Sequence, residues 1–221
     1  MTTIEEAFSI TVNGSRISAL FSEPVEAVAT IVLAHGAGAG MDHPFLTGFT
    51  EALNDLGLTT LRFNFPYMEA GKKFPDKPPV ALAAWRAAMD SARERSAGRA
   101  VFAVGKSFGG RMASMAVAEG MDAAGLVFLG YPLHAPKKPE KMRDAHLYGL
   151  ELPMLFLQGS RDPFAQPREL EPVVEHIGSN ANLDWFEGAD HSFKVAWSKR
   201  TTGQDGALLA APVLAFVRAN S

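Results

Sequence analysis

The chain has 221 residues, 47% of them hydrophobic and 20% charged, a length that suits one domain with a sizeable core spanning 1–221. Its formal net charge of −3 is mild, so neither a nucleic-acid nor a membrane-surface partner is expected. The absence of cysteine excludes disulfides, thiolate chemistry and cysteine-held metal.

The first residues, Met1 to Glu6, are polar and acidic, unlike a secretory leader, and no apolar run reaches the length of a membrane span. A cytoplasmic location is expected. Phe8–Val12 and Arg16–Phe21 alternate apolar and polar residues around Asn13-Gly14, which predicts an antiparallel hairpin at a sheet edge. Val28–Ala34 is a continuous apolar run, as required of a strand buried on both faces. A glycine-rich loop, His35-Gly36-Ala37-Gly38-Ala39-Gly40, follows it. Helix is predicted over Phe45–Leu56, strand over Leu58–Phe63, and an alanine-rich helix over Pro79–Ser96 with Trp85 and Met89 on one face.

The central stretch is Ala100–Val104, an uncharged strand, running into Gly105-Lys106-Ser107-Phe108-Gly109-Gly110 and a small-residue helix. Strand, G-x-S-x-G and helix together are the context of a nucleophile elbow, a strained turn that lifts a serine hydroxyl clear of the backbone. The turn brings the residues two before and two after the serine into close contact, where a Cβ would collide. Gly105-Lys106-Ser107 also reads as the tail of a P-loop. The residues before it want to be a strand rather than a phosphate cradle, so nucleotide binding is set aside. The remaining alternative is a tight turn whose serine only caps a helix.

Strand Gly125–Leu129 comes next, then a basic, proline-punctuated stretch from Tyr131 to Glu151 that could roof a site, with a short helix over Met142–Leu150. Pro153–Leu157 is a strand ending in Gln158-Gly159-Ser160-Arg161-Asp162-Pro163-Phe164. Pro167–Ile177 is helical, with the proline suited to its first turn. Asn182–Phe186 is the last strand, ending in Glu187-Gly188-Ala189-Asp190-His191. Gly206–Ala219 forms a terminal helix that Pro212 either kinks or delays. Alternating strands and helices imply an α/β, three-layer sandwich with a mainly parallel sheet and an antiparallel N-terminal edge. Ligands of such sheets bind beyond the carboxyl ends of the strands, where each chemically suggestive residue falls.

A serine hydroxyl needs a base, and His191 can serve; protonation of that base is expected to stop activity around pH 6–7. The imidazole in turn needs a carboxylate, for which Asp162 is placed one strand earlier, with Asp190 and Glu187 as weaker candidates. The tetrahedral oxyanion calls for two backbone donors: Phe108 N–H, and Ala37 or, second, Gly38 from the glycine-rich loop. His35 is expected to order that loop. Tyr67, Met68, His134 and Phe164 are the candidate pocket residues. Lys106 is read as shaping the entrance or simply solvated, Arg111 as pairing with an acid near the elbow, and His43, His146 and His176 as surface or packing residues. No cluster has metal-ligand spacing, and no cofactor is expected.

These segments, with Arg62-Phe63-Asn64-Phe65-Pro66-Tyr67, Gly130-Tyr131-Pro132-Leu133-His134 and Gly188-Ala189-Asp190-His191-Ser192-Phe193, resemble the α/β-hydrolase superfamily over nearly the whole chain. More narrowly they resemble its small KANL3/Tex30-type branch, related to dienelactone hydrolases. The resemblance implies an α/β-hydrolase sandwich with a minimal lid, and serine, acid and histidine roles for Ser107, Asp162 and His191. Serine stands here where dienelactone hydrolases carry cysteine. The expected activity is a serine hydrolase (carboxylesterase or thioesterase) cleaving a small-molecule ester through an acyl-enzyme. The competing reading is a catalytically idle hydrolase fold used as a binding or interaction module.

Overall fold

The computed structural model describes residues 3–221. Its frame is one eight-stranded sheet, numbered in chain order: β1 (Thr3–Val12), β2 (Ser15–Pro24), β3 (Ala29–Ala34), β4 (Leu58–Phe63), β5 (Val101–Lys106), β6 (Leu126–Leu129), β7 (Met154–Gly159) and β8 (Ala181–Phe186). The spatial order is β1-β2-β4-β3-β5-β6-β7-β8, with β1 and β2 antiparallel to their neighbours and the rest parallel. Asn13 and Gly14 both take positive φ (49° and 80°), the type I′ geometry that suits a two-residue hairpin.

The helices are α1 (Pro44–Asp55), α2 (Pro66–Glu69), α3 (Pro78–Arg95), α4 (Phe108–Ala118), α5 (Pro167–Ile177), α6 (Thr202–Ala207) and α7 (Ala210–Ala219). Along β3 every residue is buried, and alternate side chains join different cores. Val32 and Ala34 pack with Trp85 and Met89 of α3, Met112 of α4 and Leu170 of α5. Ile31 and Leu33 pack on the other face with Phe49 of α1 and Val213 of α7. The three-layer α/β expectation therefore holds.

Two local expectations need correction. The predicted helix over Met142–Leu150 is only a 3-10 turn at Leu147–Gly149. The terminal helix is broken into α6 and α7, and Pro212 lies in the first turn of α7, where its missing N–H has no helical partner to lose. The proline thus marks a restart and not a kink. From β3 the chain crosses to one side of the sheet (β4) and then to the other (β5), so a crevice opens at the carboxyl ends of β3 and β5.

Candidate active site

Ser107 stands between β5 and α4, as the N-cap of α4, with φ 50° and ψ −113°, a conformation that non-glycine residues hold only under strain. The glycines show why the turn closes. A Cβ on Gly105 would lie 2.1 Å from Gly110 N and 2.4 Å from the Gly109 carbonyl carbon. A Cβ on Gly109 would lie 2.7 Å from the carbonyl oxygens of Ala34 and His35. Both expected collisions are present, but Gly109 presses on the end of β3 rather than on Gly105.

The loops after β7 and β8 bring two more side chains to this turn. His191 Nε2 lies 2.8 Å from Ser107 Oγ, and its Nδ1 lies 2.5 Å from Asp162 Oδ2. Asp162 is fully buried, and Oδ2 also accepts from Gln158 Nε2 (2.7 Å) while Oδ1 accepts from Phe164 N (2.8 Å). The exposed Asp190 instead caps its own loop, accepting from Ser192 N and Lys194 N, and Glu187 is exposed as well. Burial and the neighbouring Lys106 charge hold His191 below the ordinary histidine pKa, against the opposing pull of Asp162. The imidazole is therefore neutral at pH 7 and able to take the Ser107 proton.

Two supports of this chain were not anticipated. Gln158, the last polar residue of an otherwise apolar strand, is fully buried; it donates to Asp162 and accepts from Tyr131 N at 2.7 Å. Lys106, half-buried on the cavity wall, is held in place rather than simply solvated. Its ammonium donates to the His191 carbonyl (2.6 Å) and lies over the rings of Phe45 and Phe193, and burial lowers its pKa to about 8.

The glycine-rich loop after β3 is clamped by His35, which is fully buried. Its Nδ1 donates to Gly36 O (2.8 Å) and its Nε2 accepts from Phe65 N (3.0 Å), a pairing that fixes one neutral tautomer. Burial accordingly drives its pKa down to about 4. Gly36 backs onto the Ser107 turn, since a Cβ there would sit 3.6 Å from Ser107 Cβ. Phe108 N–H, at the first position of α4, has no carbonyl one turn earlier to bond. Ala37 and Gly38 line the same cavity as Ser107 and Phe108. The Tyr67 hydroxyl holds this loop from the protein side, donating to Gly36 O (3.3 Å).

The cavity above Ser107 has a volume of about 710 Å³. Of the four expected pocket residues it is lined only by Phe164, whose ring lies against His191 with centroids 4.2 Å apart. Tyr67 is buried beneath the glycine-rich loop, in edge contact with His35. Met68, beside it on α2, lies outside the lining. His134 is buried and ties the 131–150 stretch to α5 through Glu169 (3.0 Å). That stretch does contribute a wall, with Pro132 and Arg143. Arg111, expected to pair with an acid, also lines the cavity, as does His43, which caps α1 by accepting from Phe45 N.

Against known proteins, the family model described as an alpha/beta hydrolase domain matches residues 27–217. Among solved structures, an alpha-beta serine hydrolase homologue from Coxiella burnetii superposes with a TM-score of 0.77 at 21% identity, covering 98% of this chain and 97% of that one. The esterase domain of a Rhodothermus marinus protein gives 0.74 at 17% identity, covering 98% of each chain. A dienelactone hydrolase from Anabaena variabilis gives 0.75 at 20% identity, covering 97% and 98%.

Proposed function

Because this chain belongs to the alpha/beta hydrolase domain family, we propose that it is a single-domain serine hydrolase, a carboxylesterase or thioesterase of the KANL3/Tex30-type branch, acting on a small-molecule ester. The observation that carries this reading is the unbroken hydrogen-bond chain Ser107–His191–Asp162. In the first step Ser107 Oγ attacks the carbonyl carbon while its proton passes to His191 Nε2. Asp162 stabilises the imidazolium and holds the ring. The oxyanion is received by the N–H groups of Phe108 and Ala37, with Gly38 of the same cavity-lining loop as the second choice to Ala37. Collapse of the intermediate breaks the bond to the leaving oxygen or sulfur, which takes the proton from His191. Water, deprotonated by the same imidazole, then releases the acid from Ser107. Phe164 flanks the acyl group.

The test is Ser107→Ala, assayed on short-chain esters with the fold checked by circular dichroism. The expected loss in kcat is about 10⁴–10⁶-fold with the spectrum unchanged. A variant that turns over as fast as the parent would overturn the assignment.

A further inference from the structure

The cavity carries a charge opposite to that of the protein. Four cationic side chains line it, Lys106, Arg111, Arg143 and Lys194, against the single carboxylate of Asp190, whereas the whole chain is formally −3. Asp190 is already committed to the amides of its own loop. Lys106 is committed to the His191 carbonyl.

The two arginines are not so committed. Among the described residues, no carboxylate pairs with either of them. Arg111 Nε is buried without any hydrogen-bond partner. Arg62 and Arg99 also have one buried unpartnered nitrogen, but each of those guanidiniums has an acid beside it, Asp42 and Glu23. Arg111 instead shares the cavity wall with another arginine, Arg143; burial first, and the Arg143 charge after it, lower its pKa. A half-buried guanidinium with a buried, unpartnered Nε beside a like charge is an arrangement that an anion would relieve.

Both groups are held where an acyl substrate must pass. Arg111 is one helical turn beyond the nucleophile, its N–H donating to Ser107 O (3.0 Å), and helix side chains lean back toward the preceding turn. Side chains at this spacing stand about 6 Å apart at Cβ. Arg143 is fixed from the roof: its N–H donates to Leu133 O (2.8 Å), and its carbonyl accepts from the buried Tyr131 hydroxyl (2.7 Å).

We propose that Arg111 and Arg143 form an anion subsite, so that the substrate is an ester or thioester bearing a second, negatively charged group a few bonds from the scissile carbonyl. The inference deepens the serine-hydrolase reading and rests on it for the word substrate. Carboxylate and phosphate share the required chemistry.

Three methyl esters test it by proton release: monomethyl glutarate, methyl pentanoate as its neutral counterpart, and methyl 3-phosphonopropionate. The expected kcat/KM is at least tenfold higher for one or both anionic esters than for the neutral one, and whichever anion leads identifies its source. Arg143→Gln, on the loop-borne wall, should cut that ratio at least tenfold. Arg111→Lys, which keeps a charge but loses the planar fork, should cut it less than Arg143→Gln does. Binding to Ser107→Ala by calorimetry supplies an arm that needs no turnover. If that variant binds monomethyl glutarate tenfold tighter than methyl pentanoate while the parent hydrolyses no ester, the subsite stands and the hydrolase reading falls. If the parent hydrolyses all three esters equally and Arg143→Gln leaves the ratio unchanged, the subsite is refuted and the hydrolase reading stands.

Discussion

Replacing Asp162 by Asn removes one charge and almost no volume, yet the surroundings leave the amide no satisfactory orientation. Three N–H donors converge on the two carboxylate oxygens: His191 Nδ1 and Gln158 Nε2 on Oδ2, and Phe164 N on Oδ1. If the amide oxygen takes the Oδ2 position, its NH₂ opposes Phe164 N–H, and the developing imidazolium has lost its counter-charge. If the oxygen takes the Oδ1 position, the NH₂ faces His191 Nδ1, which must then accept. The ring proton moves to Nε2, pointing at Ser107, and no base remains. Either arrangement leaves a buried donor unpaired, at a cost of about 1–3 kcal/mol in stability, which for a chain of this size is a melting-point drop of several degrees. The loss in kcat should be about 10⁴-fold, equivalent to about 5.4 kcal/mol in the barrier. Steady-state hydrolysis of 4-nitrophenyl butyrate, with thermal denaturation of the same sample, separates the two effects. A folded Asp162→Asn variant with kcat within tenfold of the parent would refute the reasoning.

Two pH experiments follow from the histidines. His191 must be neutral to act, and burial and Lys106 hold its pKa below 6.5, so kcat/KM should stay level at neutrality and fall only below a midpoint under 6.5. The acid limb therefore lies lower than that of an ordinary imidazole; a midpoint at 7 or above would contradict the geometry. His35 bears on stability. Its folded pKa of about 4 lies below the ordinary 6.5, so its contribution is fully present above pH 6.5 and is lost progressively down to pH 4, by about 3 kcal/mol. Urea denaturation between pH 7 and pH 4.5 should therefore show a steeper loss for the parent than for His35→Gln, and equal slopes would contradict that assignment.

The parts of the site that could be read from the sequence are those that backbone topology places. Ser107, Asp162 and His191 each follow the carboxyl end of a parallel strand, so an alternating α/β pattern brings their loops together before any side-chain detail is known. Gly105 and Gly109 were legible for the same reason, because the elbow leaves no room for a Cβ. Pocket membership was not legible, since it depends on which way a side chain turns after its loop has packed. Tyr67 turns inward under the glycine-rich loop, and His134 turns to Glu169. Arg111 was misassigned because charge alone cannot say whether an acid lies opposite; here another arginine does. Gln158 could have been found: a polar residue closing the apolar run Met154–Leu157 has to be satisfied inside the protein, and Asp162, four residues later, is the nearest carboxylate in sequence.

The central claim is that Ser107 is a nucleophile activated by its hydrogen bond to His191. Incubation with a fluorophosphonate, read by intact mass and peptide mapping, asks this directly. The account predicts one adduct, on Ser107, formed by the parent and absent from Ser107→Ala. A folded parent protein that remains unlabelled under conditions that saturate ordinary serine esterases would contradict it and favour an idle binding module.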